Sequence, residues 1–231
     1  MKTYDQDGLL SHHNHDFMGD PAFIEAYNRG TQAVGVDYHW HWRVHIGLWA
    51  AKTVVKRPGD FVECGVNAGF LSSSIMQALD WDTTGKTFYL LDTFQGINKD
   101  HVSQEEIQDG ILYKNAKLLA NKFYVSSSDR VRENFSQWSN IKIIEGTIPD
   151  TLPEITSEEI SFLHIDLNCA PPEVASLEYL WPKMVVGGIV LLDDYAYNTY
   201  HHQKMAMDTL ASKLDFEIAS LPTGQGLIIK N

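Results

Sequence analysis

Three acidic residues stand where ligand chemistry is expected. Asp166 closes the apolar run Ile160-Ser-Phe-Leu-His-Ile, and the pair Asp193-Asp194 closes Ile189-Val-Leu-Leu. A carboxylate at the carboxyl end of a buried strand contributes little to packing, because that edge of an open α/β sheet is where ligands bind. Three acids converging there point to a hard divalent cation, which takes oxygen ligands. Alone, the pair Asp193-Asp194 reads more readily as the start of a loop or a helix cap.

A second group of residues surrounds a glycine turn, Glu63-Cys-Gly65-Val-Asn67-Ala-Gly69. Glycines let the backbone approach a ligand that a side chain would block. The dinucleotide fingerprint needs G-x-G-x-x-G with pyrophosphate over the helix start. Here the glycines are spaced more widely and the turn opens with a carboxylate, which would repel pyrophosphate. An amino group and a sulfonium would be tolerated or attracted instead. Asp92, at the end of the run Phe88-Tyr-Leu-Leu, is placed to accept hydrogen bonds from two ribose hydroxyls. A nucleoside with a cationic tail is therefore favoured over a nicotinamide dinucleotide.

The histidines divide by context. His164 lies inside a strand-like run and reads as a hydrogen-bonded core residue, whereas His201 and His202 follow Asp194 by seven and eight residues in a loop leaving the same edge. Either is a candidate base, against the simpler reading of surface residues at a helix start. His41 and His45 stand four apart on a helix, but Trp42 occupies the place where a zinc protease carries glutamate, so zinc is not expected there. Tyr38, Arg43 and His45 are candidate lid residues. His12, His13 and His15 read as a flexible polar arm.

Positioning these groups requires an α/β fold. Asp60-Phe-Val-Glu63, Phe88–Asp92, Ile141–Glu145 and the runs ending at Asp166 and Asp193 read as five buried strands. Helices are expected over Leu71–Leu79 and from Pro172 to about Trp181. Their alternation indicates a doubly wound parallel sheet. Phe216–Pro222 and Gly226–Lys230 flank a Thr-Gly-Gln-Gly turn and read as a terminal hairpin. An earlier helix, ending near Lys56, carries Trp42, Ile46, Trp49, Ala50 and Thr53 at helical spacing, which predicts that this face packs on the sheet. The stretch from Asn98 to Trp138 interrupts the alternation and is a candidate lid or partner surface. The expected organisation is an N-terminal helical arm over 1–57 and a core over 58–231, forming one domain.

Composition narrows the partners. With 231 residues and 44% hydrophobic content the chain can bury one good core. The net charge of −12, with no basic stripe among the 18 Lys and Arg, argues against nucleic acid. No run reaches the roughly 18 apolar residues a membrane helix needs. Two cysteines, Cys64 and Cys169, and a polar beginning lead us to expect a reduced, cytoplasmic protein. The apolar helix bearing Trp40, Trp42 and Trp49 offers a surface for a homo-oligomer.

The glycine turn, Leu91-Asp-Thr-Phe-Gln-Gly96, Val131-Arg-Glu-Asn-Phe135, Glu145-Gly-Thr-Ile-Pro-Asp-Thr-Leu-Pro153 and Gly187-Gly-Ile-Val-Leu-Leu-Asp-Asp-Tyr195 together resemble the macrocin O-methyltransferase family, in the same order from about Pro58 to Tyr195. The resemblance implies a class I S-adenosylmethionine-dependent methyltransferase: a Rossmann-like seven-stranded sheet whose last strand is antiparallel. It implies Mg2+-dependent methylation of a sugar hydroxyl or another small vicinal-diol acceptor. By the same resemblance Glu63, Gly65, Asn67 and Gly69 would surround the methionine end of the cofactor, Asp92 and Thr93 the ribose, and Gly146, Thr147 and Ile148 the adenine. Asp166, Asp193 and Asp194 would hold the metal, with Asp166 also catalytic beside cofactor and acceptor. One departure stands out. The family generally reads Asp-Gly-Asp after the fourth strand, whereas this chain reads Asp166-Leu-Asn168, and an amide cannot take a proton at neutral pH. The alternative is therefore a cofactor-binding protein of the same fold without O-methyl transfer.

Overall fold

The computed structural model describes residues 3–231. The chain opens with a hairpin, β1 (Tyr4–Gln6) and β2 (Leu9–Ser11), instead of the loose arm expected from its polarity. The turn is Asp7-Gly8, with both residues at positive φ (51° and 72°), the requirement of a tight two-residue hairpin loop. Tyr4 anchors the hairpin, only 4% exposed. Next comes α1 (Pro21–Val34), whose start is set by Asp20: its side chain accepts from the Ala22 amide at 3.0 Å, and Pro21 occupies the first helical position.

Helix α2 (His41–Val54) buries a different face from the one predicted. Arg43, Val44, Gly47, Leu48, Ala51 and Val54 point inward with Ala50, while Trp49 remains 49% exposed. Apolar residues lie all round this helix, so periodicity alone could not choose its register. Gly47 chooses it in part, because a Cβ there would sit 2.6 Å from Leu71 Cδ1. Burial of Val44, Leu48 and Val54 contributes roughly 1.5–3 kcal/mol each.

The remaining elements are β3 (Asp60–Cys64), α3 (Phe70–Leu79), β4 (Phe88–Asp92), α4 (Gln104–Gln108), α5 (Ile111–Ala120), α6 (Asp129–Phe135), β5 (Ile141–Glu145), β6 (Ile160–Ile165), α7 (Ala170–Leu180), β7 (Met184–Leu192), α8 (His201–Leu214), β8 (Ala219–Ser220) and β9 (Gly226–Ile229). They form a seven-stranded sheet in the order β5-β4-β3-β6-β7-β9-β8, with β9 inserted antiparallel between β7 and β8. Alternate strand residues feed two cores. Phe61, Phe88, Phe162 and Ile189 pack toward α1, α2 and α3; Val62, Leu91, Leu163 and Val190 pack toward α7 and α8. The expected terminal hairpin is present, although β8 is only two residues long. No helix among the described residues is long and apolar enough to cross a membrane.

Candidate active site

A cleft of about 1770 Å³, mouth included, opens over the carboxyl ends of β3, β4, β6 and β7. Its floor is the turn after β3. Gly65 has φ +91°, and a Cβ there would collide with the carbonyl oxygen of Asp166, so only glycine lets the β3 and β6 ends lie side by side. Gly69 caps α3 at φ +83°, with the Phe135 ring 2.6 Å from any added Cβ.

The first carboxylate of the turn, Glu63, is 3% exposed. One of its oxygens meets His164 Nδ1 at 2.9 Å; the other, Oε2, is buried without a hydrogen-bond partner. A buried acceptor left empty is costly, and an ammonium entering the cleft would satisfy it. Asp92 is more committed than its position suggested. Its Oδ2 accepts from the amides of Val66 (2.8 Å) and Asn67 (2.7 Å), and its Oδ1 from Phe94 (2.7 Å). A carboxylate has about four lone-pair sites, so it keeps capacity for about one further donor instead of a bidentate pair. Thr93 Oγ1 donates to the Gly96 carbonyl at 2.6 Å. Gly146, Thr147 and Ile148 line the far side of the same cleft. Asn67 uses its side chain on the protein: Nδ2 donates to the Phe123 carbonyl (3.0 Å) and Oδ1 accepts from Val125 N (2.9 Å). It thereby fastens the end of the inserted segment, bearing the half-buried Tyr124, over the cleft.

The three acids share one corner, and each has a different environment. Asp193 accepts from Arg43 Nη1 at 2.6 Å and from Gln225 Nε2 at 3.0 Å, with His164 Nε2 3.6 Å away. Burial opposes its ionisation, but Arg43 and His164 outweigh burial and hold it below the ordinary carboxylate range. Asp194 is pushed up to about 7 by burial and then by Asp193. Burial, Asp193 and Asp194 push Asp166 well above its usual value. Glu173, buried beneath them on α7, is raised by burial and by Asp194 and Asp166. With every carboxylate ionised the corner would carry more negative charge than Arg43, His164 and the nearby Lys114 offset, and the upward shifts of Asp166 and Asp194 express that crowding. Its free oxygens on Asp166 and Asp194, and the remaining lone pairs of Asp193, suit a hard divalent cation. They are not drawn into a tight cage: among the described residues, the one group offering three metal-ligand atoms within 4.8 Å of one another is Asp109, His201 and His202.

His201 does not join this site. Its side chain is 61% exposed, it faces Asp109 at 3.6 Å, and it is absent from the cleft lining, so the expectation that it serves as base is corrected. The loop after Tyr195 aims Tyr200, not His201, at the acids. Tyr200 donates to Asn168 Oδ1 at 2.7 Å, Asn168 Nδ2 donates to Asp166 Oδ1 at 2.9 Å, and Lys114 Nζ is hydrogen-bonded to Tyr200 Oη. Of the candidate lid residues, Tyr38 and Arg43 line the cleft; His45 instead stacks on Phe17, with ring centroids 4.0 Å apart, and His41 stacks on Tyr27 at 4.3 Å. Sequence reasoning missed Asp7, Lys114, Tyr124, Tyr200 and Gln225. Only Asp7 carried a signal, the Asp-Gly hairpin turn.

This strand order, with an antiparallel final strand, a glycine turn after the first sheet strand and a cleft at the strand ends, defines the class I methyltransferase fold. The chain belongs to the macrocin O-methyltransferase (TylF) family, whose model matches residues 49–218. It is 31% identical over 149 residues to a demethyldecarbamoylnovobiocin O-methyltransferase of Streptomyces niveus, covering 60% of this chain and 53% of that protein. It is 28% identical over 149 residues to an 8-demethyl-8-(2,3-dimethoxy-alpha-L-rhamnosyl)-tetracenomycin-C 4'-O-methyltransferase of Streptomyces olivaceus, covering 60% and 54%. The chain thus spans about half the length of the curated relatives it matches. The structure of the O-methyltransferase NovP superposes with a TM-score of 0.69 at 25% identity, over 82% of this chain and 79% of that one.

Proposed function

We infer that this protein transfers a methyl group from S-adenosylmethionine to a hydroxyl of a sugar or other small vicinal diol, with Mg2+ held by Asp166, Asp193 and Asp194. The observation that carries this reading is the continuity of one cleft from the glycine turn to the acidic corner. Glu63 Oε2 would receive the methionine ammonium, Asp92 and Thr93 the ribose, and Gly146 to Ile148 the adenine. Bound S-adenosylmethionine supplies the methyl group on a sulfonium, a good leaving group. Bound Mg2+ lowers the pKa of a coordinated hydroxyl.

The protein's own residues orient and exclude. Arg43 and Gln225 fix the Asp193 carboxylate, so its remaining lone pairs have a set direction. Tyr124 and the buried Tyr200 line the corner and would lower its local dielectric, which strengthens electrostatic interactions within it. Asn168 holds Tyr200 and Asp166 in register but accepts no proton. The expected result is release of S-adenosylhomocysteine when the protein is given a panel of glycosides with free vicinal hydroxyls, abolished by EDTA and restored by Mg2+. Turnover that survives EDTA would remove the metal from this reading. Tight cofactor binding without turnover on any diol would favour a binding protein without transferase activity, the reading that Asn168 supports.

A further inference from the structure

Away from the cleft mouth, Asp109 meets two consecutive histidines. His202 Nε2 lies 2.8 Å and His201 Nε2 3.6 Å from the same Asp109 Oδ2, and the two imidazole rings are 4.0 Å apart at 39°. Consecutive residues on a helix point about 100° apart and do not ordinarily face one partner. Here both turn toward a single carboxylate oxygen, which one hydrogen bond already serves. We propose that Asp109, His201 and His202 form a binding site for a borderline divalent transition metal, with Zn2+ the best match, which ties the α4–α5 segment to α8.

The donor set decides the class of metal. Two imidazole nitrogens and a carboxylate oxygen suit Zn2+, Co2+ or Ni2+, whereas Mg2+ takes oxygen ligands. This site is thus chemically distinct from the all-oxygen corner at Asp166, and it stands whether or not the methyltransferase reading does. The positive end of α8 would by itself disfavour a cation. Asp109 is hydrogen-bonded to His202 in the first turn and supplies the opposing charge, within a chain of net charge −12. Two protein nitrogens and one oxygen leave a tetrahedral ion one position for water, and the exposure of His201 and Asp109 gives the ion access from solvent.

The mechanical consequence follows from what the three residues join. Asp109 is the joint between α4 and α5, while His201 and His202 form the first turn of α8. Those two elements otherwise meet through Lys114 on α5 and Tyr200 at the head of α8, both of which line the cleft. An ion at the joint would hold that wall of the cleft closed by a bond much stronger than an exposed ion pair.

The test titrates the full chain with Co2+ and with Zn2+ in excess Mg2+, so that the oxygen corner is already filled. One equivalent of Co2+ should develop the visible absorption of a nitrogen-ligated ion, and Zn2+ should displace it. Loss of a group that merely supports a ligand typically costs about 10–100-fold in affinity, so His202→Ala and Asp109→Asn should each lose at least about tenfold. Amide exchange across residues 104–120 should slow on Zn2+ binding in the parent and not in the variants. No nitrogen-ligated Co2+ signal, or unchanged affinity in both variants, overturns the site. Zn2+ bound at these residues with unaltered exchange over 104–120 overturns the tie.

Discussion

Replacing Arg43 tests how the acidic corner is held. The guanidinium is 6% exposed and serves two carboxylates from opposite ends of the chain: Nε donates to Asp7 at 2.7 Å and Nη1 to Asp193 at 2.6 Å. Removing one partner of a buried ion pair costs about 3–5 kcal/mol, because the other charge is left uncompensated. Arg43→Met keeps most of the volume and loses the charge, so it isolates that cost. Against a total stability of about 5–15 kcal/mol, the loss is severe. For a chain of this size it corresponds to a Tm lower by roughly 6–20 °C. The pH dependence has a definite sign. Asp193 has a depressed folded pKa, so its pairing stabilises the fold above the unfolded carboxylate value of about 3.9 and is lost as pH falls through the lower folded value. The deficit of Arg43→Met should be full at pH 7 and narrow below about pH 4. Arg43→Lys, which keeps the charge but not the two-pronged fork, should fall between. Urea unfolding at pH 7 and at about pH 2.5, inside the window where the Asp193 contribution is lost, measures both. A Tm change under about 3 °C, or a deficit that grows on acidification, would refute the reasoning.

Gly65→Ala forces a side chain into left-handed backbone at about 1–3 kcal/mol and adds the collision with the Asp166 carbonyl; calorimetry should find a destabilised protein with little affinity for S-adenosylhomocysteine. Asn67→Gly preserves the positive φ of 50° but deletes both bonds to Phe123 and Val125, so proteolysis should concentrate near residue 124 while the fold persists. Although burial disfavours its charged form, His164 is pushed up to about 10 by the carboxylates on either side of the ring, Asp193 at 3.6 Å from Nε2 and Glu63 hydrogen-bonded to Nδ1 at 2.9 Å. Its contribution should be complete below about pH 6.5 and vanish as pH rises toward 10, a slope absent from His164→Gln in urea titrations. Asn168→Asp places a carboxylate beside Asp166 where an amide now donates at 2.9 Å. Without metal it should be about 1–3 kcal/mol less stable, and millimolar Mg2+ should raise its Tm more than the parent's; equal shifts would argue against a cation at this corner.

Much of this molecule is legible along the chain. Buried parallel strands are continuous apolar runs, so residue order alone sets Asp92, Asp166 and Asp193-Asp194 at their carboxyl ends, with the glycine turn beside them. His164 reads as a core residue because it interrupts such a run. The polar start misleads, because a tight turn and one buried tyrosine are enough to order a short hairpin. The face of α2 is unreadable for a different reason: with apolar residues on every side, only contact with Leu71 and the Asp193 carboxylate selects one.

The sequence alone thus determined the sheet, the edge where ligands meet it and the acids gathered there, since each depends on local periodicity and chain order. Only the tertiary structure decided which partners those acids keep. Arg43 reaches Asp193 across 150 residues, Tyr200 reaches Asn168 across 32 and Lys114 reaches Tyr200 across 86. Such pairings are set by how the crossovers and the inserted segment pack over the strand ends, and a side chain's charge is balanced by whatever that packing brings within a few ångströms. The same physics separates His201 from the cleft it was expected to serve and turns it, with His202, toward Asp109.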